Sequence, residues 1–172
     1  MKKSLVYSIG IMLFAACGSK SGIPSRDELS DSISRMETTI ASYEVTANAE
    51  KANEMIGLYR LFVENYPDDS LAPIYMLRMA DIDINMGGFE EGLAMLDSII
   101  TLYPGFEDVG YCQFLKGWAY EQNQQYDLAR EAYVEFLANN PDHVLAADTR
   151  KNLPYLGMTP EEQLEAATKG LK

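Results

Sequence analysis

With 172 residues, 47% of them hydrophobic, the chain is long enough for one domain with a sizeable core and too apolar to be disordered. Its net charge of −12 excludes a nucleic-acid partner, because binding a phosphate backbone takes clustered Lys and Arg. The same charge is repelled by an anionic lipid surface and favours a basic partner.

The first residues differ in kind from the rest. Met1-Lys2-Lys3 is a basic start, and Leu5 to Ala16 is an apolar run too short to span a bilayer comfortably. Residues 1–16 therefore read as a secretory signal peptide. The end of that run, Leu13-Phe14-Ala15-Ala16-Cys17, resembles the lipobox of bacterial lipoproteins, with Phe14 where Leu is usual. The resemblance implies that Cys17 becomes the mature N-terminus and carries acyl chains, which would anchor the protein durably in a membrane. Residues 17–24 are rich in Gly and Ser and read as a short flexible tether, so the folded body over 25–172 is expected to sit near the membrane.

Helical periodicity then runs through the chain. Leu29, Ile33, Met36, Ile40 and Tyr43 mark a first helix, with Ser25 and Glu28 as a capping box in front of it. Ala52, Met55, Ile56, Tyr59, Phe62, Val63 and Tyr66 mark a second. Segments near 71–86 and 89–103 form a third and fourth, broken at Gly87-Gly88. Segments near 108–123 and 126–140 form a fifth and sixth. A seventh runs from about Asp142 to Asn152 and stops before Pro154. Thr159-Pro160-Glu161-Glu162 opens an eighth over about 159–169, with Thr as N-cap, Pro at the first helical position and acids in the first turn. No segment alternates with period two, so no strand is expected.

Tyr66-Pro67, Tyr103-Pro104 and Asn140-Pro141 recur at a constant step of 37 residues. That step pairs Leu77 with Phe114, Ala80 with Gly117, Gly92 with Ala129, Leu96 with Tyr133 and Ile99 with Phe136, each pair alike in size class. Small Gly117 followed by Tyr120 in one helix, then Ala129, Tyr133, Phe136 and the closing Pro141, resembles the tetratricopeptide repeat. The resemblance implies an all-α, right-handed helical solenoid of about eight antiparallel helices. Full repeats fall at about 73–106 and 110–143, a half repeat at about 48–67, and capping helices at both ends. One repeat cannot bury its own apolar face, so the units must stack.

The period, the phrases Tyr66-Pro67-Asp68-Asp69-Ser70 and Phe136 to His143, and the leader together resemble envelope proteins of the same repeat type in Bacteroides-like bacteria. Those include the lipoprotein of the outer-membrane barrel-assembly machine and the periplasmic repeat partner of the Tol–Pal system. The resemblance implies an outer-membrane, lipid-anchored, periplasm-facing scaffold whose partner is an envelope protein or peptide, without a small-molecule substrate. In such solenoids the first helix of each repeat lines a concave groove. That places Ile74, Leu77, Asp81, Ile84 and Asn85 of one repeat and Tyr111, Phe114, Trp118, Glu121 and Gln122 of the next in the groove. Trp118, the sole tryptophan, is the residue most suited to anchor a partner. An alternative is a glycan-binding lipoprotein on the same scaffold, although the turns here are uniform and short and leave no insertion for a sugar site.

Residues suited to catalysis are few. His143 is the sole histidine and follows the repeat turn, and no nucleophile-elbow motif accompanies it. Metal sites of the His/Cys kind fail on count. Asp81-Ile82-Asp83-Ile84-Asn85 imitates the start of a calcium loop, but Met86 and Gly92 stand where Gly and Glu are needed. No catalytic residue, metal or cofactor is assigned, and a non-enzymatic scaffold is expected. Cys112 either packs as a small hydrophobe or remains a reactive thiol. From Asp68 to Asp108 the sequence carries nine acids against the single base Arg78.

Overall fold

The computed structural model describes residues 22–39 and 48–169. Cys17, the signal peptide, residues 17–21 of the tether, and Ile40 and Tyr43 lie outside the described residues. Within them the chain forms eight α-helices and no strand: α1 (Arg26–Thr39), α2 (Ala49–Asn65), α3 (Ala72–Asn85), α4 (Phe89–Leu102), α5 (Val109–Gln122), α6 (Tyr126–Asn139), α7 (Ala146–Asn152) and α8 (Pro160–Lys169). A 3₁₀ turn, Leu153–Tyr155, carries the chain through Pro154 after α7.

From α1 to α7 each helix packs against its neighbour in sequence, most extensively α3 on α4 and α5 on α6. This is a helical solenoid. The apolar stripes meet in one continuous core, where Ile33, Phe62, Met79, Leu96, Ile99 and Cys112 are fully enclosed.

Local chemistry sets the boundaries. Ser25 and Glu28 cap α1 reciprocally: the Ser25 N–H donates to Glu28 Oε2 at 2.8 Å and the Glu28 N–H to Ser25 Oγ at 3.3 Å. Thr159 and Glu162 repeat the arrangement at α8. Asn48 caps α2 by accepting from the Glu50 and Lys51 N–H groups.

The proline turns are built alike. In each, two successive backbone bonds step from Tyr66 to Asp69 to Ala72, from Tyr103 to Phe106 to Val109, and from Asn140 to His143 to Ala146. This turn consumes Asp142 to Leu145, so α7 begins at Ala146 and not near Asp142 as the sequence pattern suggests. It also explains His143, whose Nδ1 accepts from the Leu145 N–H at 3.2 Å as Asp69 Oδ1 accepts from the Leu71 N–H at 2.9 Å.

The turns inside the repeats are Schellman caps, with the Gly88 N–H bonded to the Asp83 carbonyl and the Gln125 N–H to the Tyr120 carbonyl, both at 2.8 Å. Each needs one residue in the left-handed region. The first has Gly87 (φ +86°), and one period on stands Gln124 (φ +58°), which carries a Cβ where none is welcome. Gln124→Gly is therefore expected to stabilise the fold by about 0.5–1 kcal/mol, the relief of strain less glycine's entropic cost. A denaturant midpoint that rises with unchanged slope would verify it.

Close helix approach explains the paired small residues. A Cβ on Gly92 would collide with Ile84 and crowd the Ala80 carbonyl, and one on Gly117 would lie 2.5 Å from the Tyr133 ring. Ile84 is thus a core residue, buried under Gly92, rather than part of a groove.

The N-terminal helix does more than cover an end. Tyr66 Oη donates to the Pro24 carbonyl at 3.0 Å, as Tyr103 Oη donates to the Pro67 carbonyl at 2.7 Å. Tyr59 Oη donates to Glu37 at 2.7 Å, as Tyr133 Oη donates to Glu121. α1 with α2 therefore forms a further repeat-like pair, entered at Pro24 as the others are entered at Pro67 and Pro104. The C-terminal cap is lighter, with Leu164 of α8 68% exposed.

Candidate partner-binding groove

α5 carries Tyr111, Phe114, Trp118 and Glu121 at helical spacing, one above the other on one side. Phe114 is half-buried, its ring 5.6 Å from both Tyr133 and Phe136, and Tyr111 stacks on it at 6.4 Å. Trp118 is half-buried as well and packs against the core along part of its ring. Phe114, Trp118 and Glu121 form one wall of a cleft of about 390 Å³. The facing wall comes from α7 and the 3₁₀ turn, chiefly Asp148, Asn152 and Tyr155. The cleft lies at the low end of ligand-site volumes.

Glu121 is half-buried at the cleft wall. Its Oε2 accepts from Tyr133 Oη at 2.7 Å, and burial, then this bond, pushes the Tyr133 phenol far above its ordinary range. No Lys, Arg or His is among the described residues that line the cleft. Arg130 and Arg150 donate instead to the backbone carbonyls of Leu153 and Pro141.

The other predicted groove residues lie apart from the cleft. Leu77 packs against the core. Asp81 is half-buried on α3, and its charge reaches Tyr111, whose phenol is raised first by burial and then by Asp81. Asn85 is exposed and donates to the Asp81 carbonyl of its own helix. Gln122 is exposed and borders a shallower hollow beside the cleft. The facing wall was missed by the sequence reading, although the period contains it: one step of 37 carries Tyr111 to Asp148 and Trp118 to Tyr155.

Burial raises the Asp81 carboxyl above the usual carboxylate range. A carboxylic acid with a raised folded-state pKa costs no stability while protonated in both states, and lowers it as pH climbs through the folded value. Asp81→Asn is therefore expected to be more stable than the parent at neutral pH, with the advantage vanishing as pH falls below the ordinary carboxylate range. Melting temperatures of the two proteins across pH would show it, and a gap independent of pH would refute it.

The neighbouring chemistry is inert by comparison. Cys112 is fully enclosed, and burial pushes its thiol up to about 12, so it packs as a hydrophobe and not as a nucleophile. The calcium-like segment from Asp81 is regular helix within α3. No group of three His, Cys, Asp or Glu that could hold a metal occurs among the described residues.

Repeated helix pairs with a cleft at the end of the array define a helical-repeat scaffold. A family model for the tetratricopeptide repeat matches residues 111–143, which span α5, α6 and the turn at Pro141. No curated protein sequence and no solved structure matches the chain. Tetratricopeptide repeats mediate protein–protein contact and are typically non-enzymatic, which fits a protein partner.

Proposed function

We propose that the chain is a lipid-anchored, periplasm-facing, protein-binding scaffold of the bacterial outer membrane, accessory to outer-membrane protein assembly or envelope maintenance. The observation that carries the protein-binding part is the cleft itself. It holds the sole tryptophan half-exposed between aromatic and carboxylate groups, the composition of a protein hot spot. The location rests on Lys2-Lys3, the apolar run and Ala15-Ala16-Cys17. α1 is pinned by the Arg26–Asp69 ion pair at 2.9 Å, so the tether meets a fixed point of the fold.

The test is crosslinking in the native envelope with a photoreactive residue in place of Gln163, which lines the cleft and leaves Trp118 intact. Capture of a barrel-assembly or Tol–Pal component supports the reading and names the pathway, whereas a folded, membrane-held protein that captures nothing refutes it. The anchor is checked apart from this: a clickable palmitate analogue should label the protein, and Cys17→Ser should abolish the label and release the protein from the membrane fraction.

A further inference from the structure

The N-terminal pair contains an internal guide to what the cleft receives. There the Glu37 carboxylate accepts from Tyr59 Oη and also pairs with the Arg78 guanidinium, which lies 5.8 Å from the Tyr75 ring centroid. Three elements make this cluster: α1 supplies the carboxylate, α2 the phenol and α3 the cation. The C-terminal end has the same elements in the same order. α5 supplies Glu121, α6 supplies Tyr133 at 2.7 Å from it, and α7 stands where α3 stood. Two periods of 37 carry Tyr59 to Tyr133 and Arg78 to Asn152. Asn152 is shorter and uncharged, and it lines the cleft. The carboxylate and phenol of the cluster are thus repeated while the position of the cation holds a neutral residue.

Resting on the reading of the cleft as a partner site, we propose that it receives an arginine side chain from a partner segment, which completes at Glu121 the cluster that Arg78 completes at Glu37. Trp118 and Tyr155 both line the cleft and supply aromatic rings of the kind that Tyr75 supplies to Arg78. Asp148 on the facing wall adds a second carboxylate. The acidic character of the whole chain attracts such a segment from a distance. Lysine fits less well, because a point charge lacks the fork that spans a carboxylate and lies flat on a ring.

Trp118 is the sole tryptophan, so its fluorescence reports the cleft directly. The probe is a capped glycine-serine heptapeptide with one central arginine, compared with the same peptide carrying citrulline, a neutral analogue of the same shape. The expected result is saturable binding of the arginine peptide, at least about tenfold tighter than the citrulline peptide. Glu121→Gln, which still accepts from Tyr133, should remove that difference. Asn152→Arg should supply the cation from within, raising the melting temperature and blocking the peptide. Equal binding of both peptides, unaffected by Glu121→Gln, overturns the arginine assignment and leaves the groove reading standing. So does a lack of binding by either peptide together with an Asn152→Arg protein no more stable than the parent. The groove reading itself falls if crosslinking from the cleft wall captures nothing.

Discussion

Phe136→Ala is expected to destabilise the protein by about 3–5 kcal/mol, the range for a fully buried phenylalanine truncated in a packed core. Phe136 has no exposed surface. Its ring meets Phe114 on α5 edge-on at 5.6 Å and His143 in the repeat turn edge-on at 5.3 Å. It therefore ties three segments together: the helix that carries the groove, its own helix, and the turn that launches α7. Domain stabilities of 5–15 kcal/mol leave little after such a loss. Repeats contact only their neighbours, so the damage should begin at the C-terminal end. Trp118 fluorescence should report unfolding at lower denaturant than the helical signal at large. Coincident transitions would mean that the solenoid is too short for its units to separate. His143→Ala is the control: it removes one half-buried ring and one backbone-accepting nitrogen, and should cost about 1 kcal/mol.

Most of the architecture was legible because punctuation accompanies the periodicity. The inner helices α3 to α6 are bracketed by Pro67, Gly87-Gly88, Pro104 and Pro141, and their ends fall within a residue or two of the sequence reading. The start of α7 was not legible. Asp142 to Leu145 has a composition any helix would accept, and only the backbone bonds from Asn140 to His143 to Ala146 assign it to the turn. The role of α1 was hidden for a different reason. Glu37 answers to Glu121 structurally, yet the two are not separated by a multiple of the period, because Tyr59 follows Glu37 by 22 residues whereas Tyr133 follows Glu121 by 12. A search at fixed spacing passes over such a pair. In the candidate site, α5 announced itself through its aromatics, whereas α7 carries none and Tyr155 stands in the 3₁₀ turn beyond its end.

Trp118→Ala is expected to abolish capture of a partner while leaving the protein folded. The two effects separate because Trp118 is half-buried, unlike Phe136, so that truncation removes only part of the packing a core ring supplies. A stability loss of about 1–3 kcal/mol is expected from that partial contact. A central anchor aromatic contributes 2 kcal/mol or more to an interface, which lowers affinity by a factor of about 30 or greater. Trp118→Phe sharpens the comparison: it keeps a ring against the core, should recover most of the stability, and should restore only part of the binding. Stability and capture measured on the three proteins decide between the roles. If capture tracks stability across them, Trp118 serves the core and the groove reading loses its anchor. If capture falls in Trp118→Phe while the melting temperature stays near that of the parent, the indole is recognised for itself, and the cleft between α5 and α7 is the surface that selects the partner.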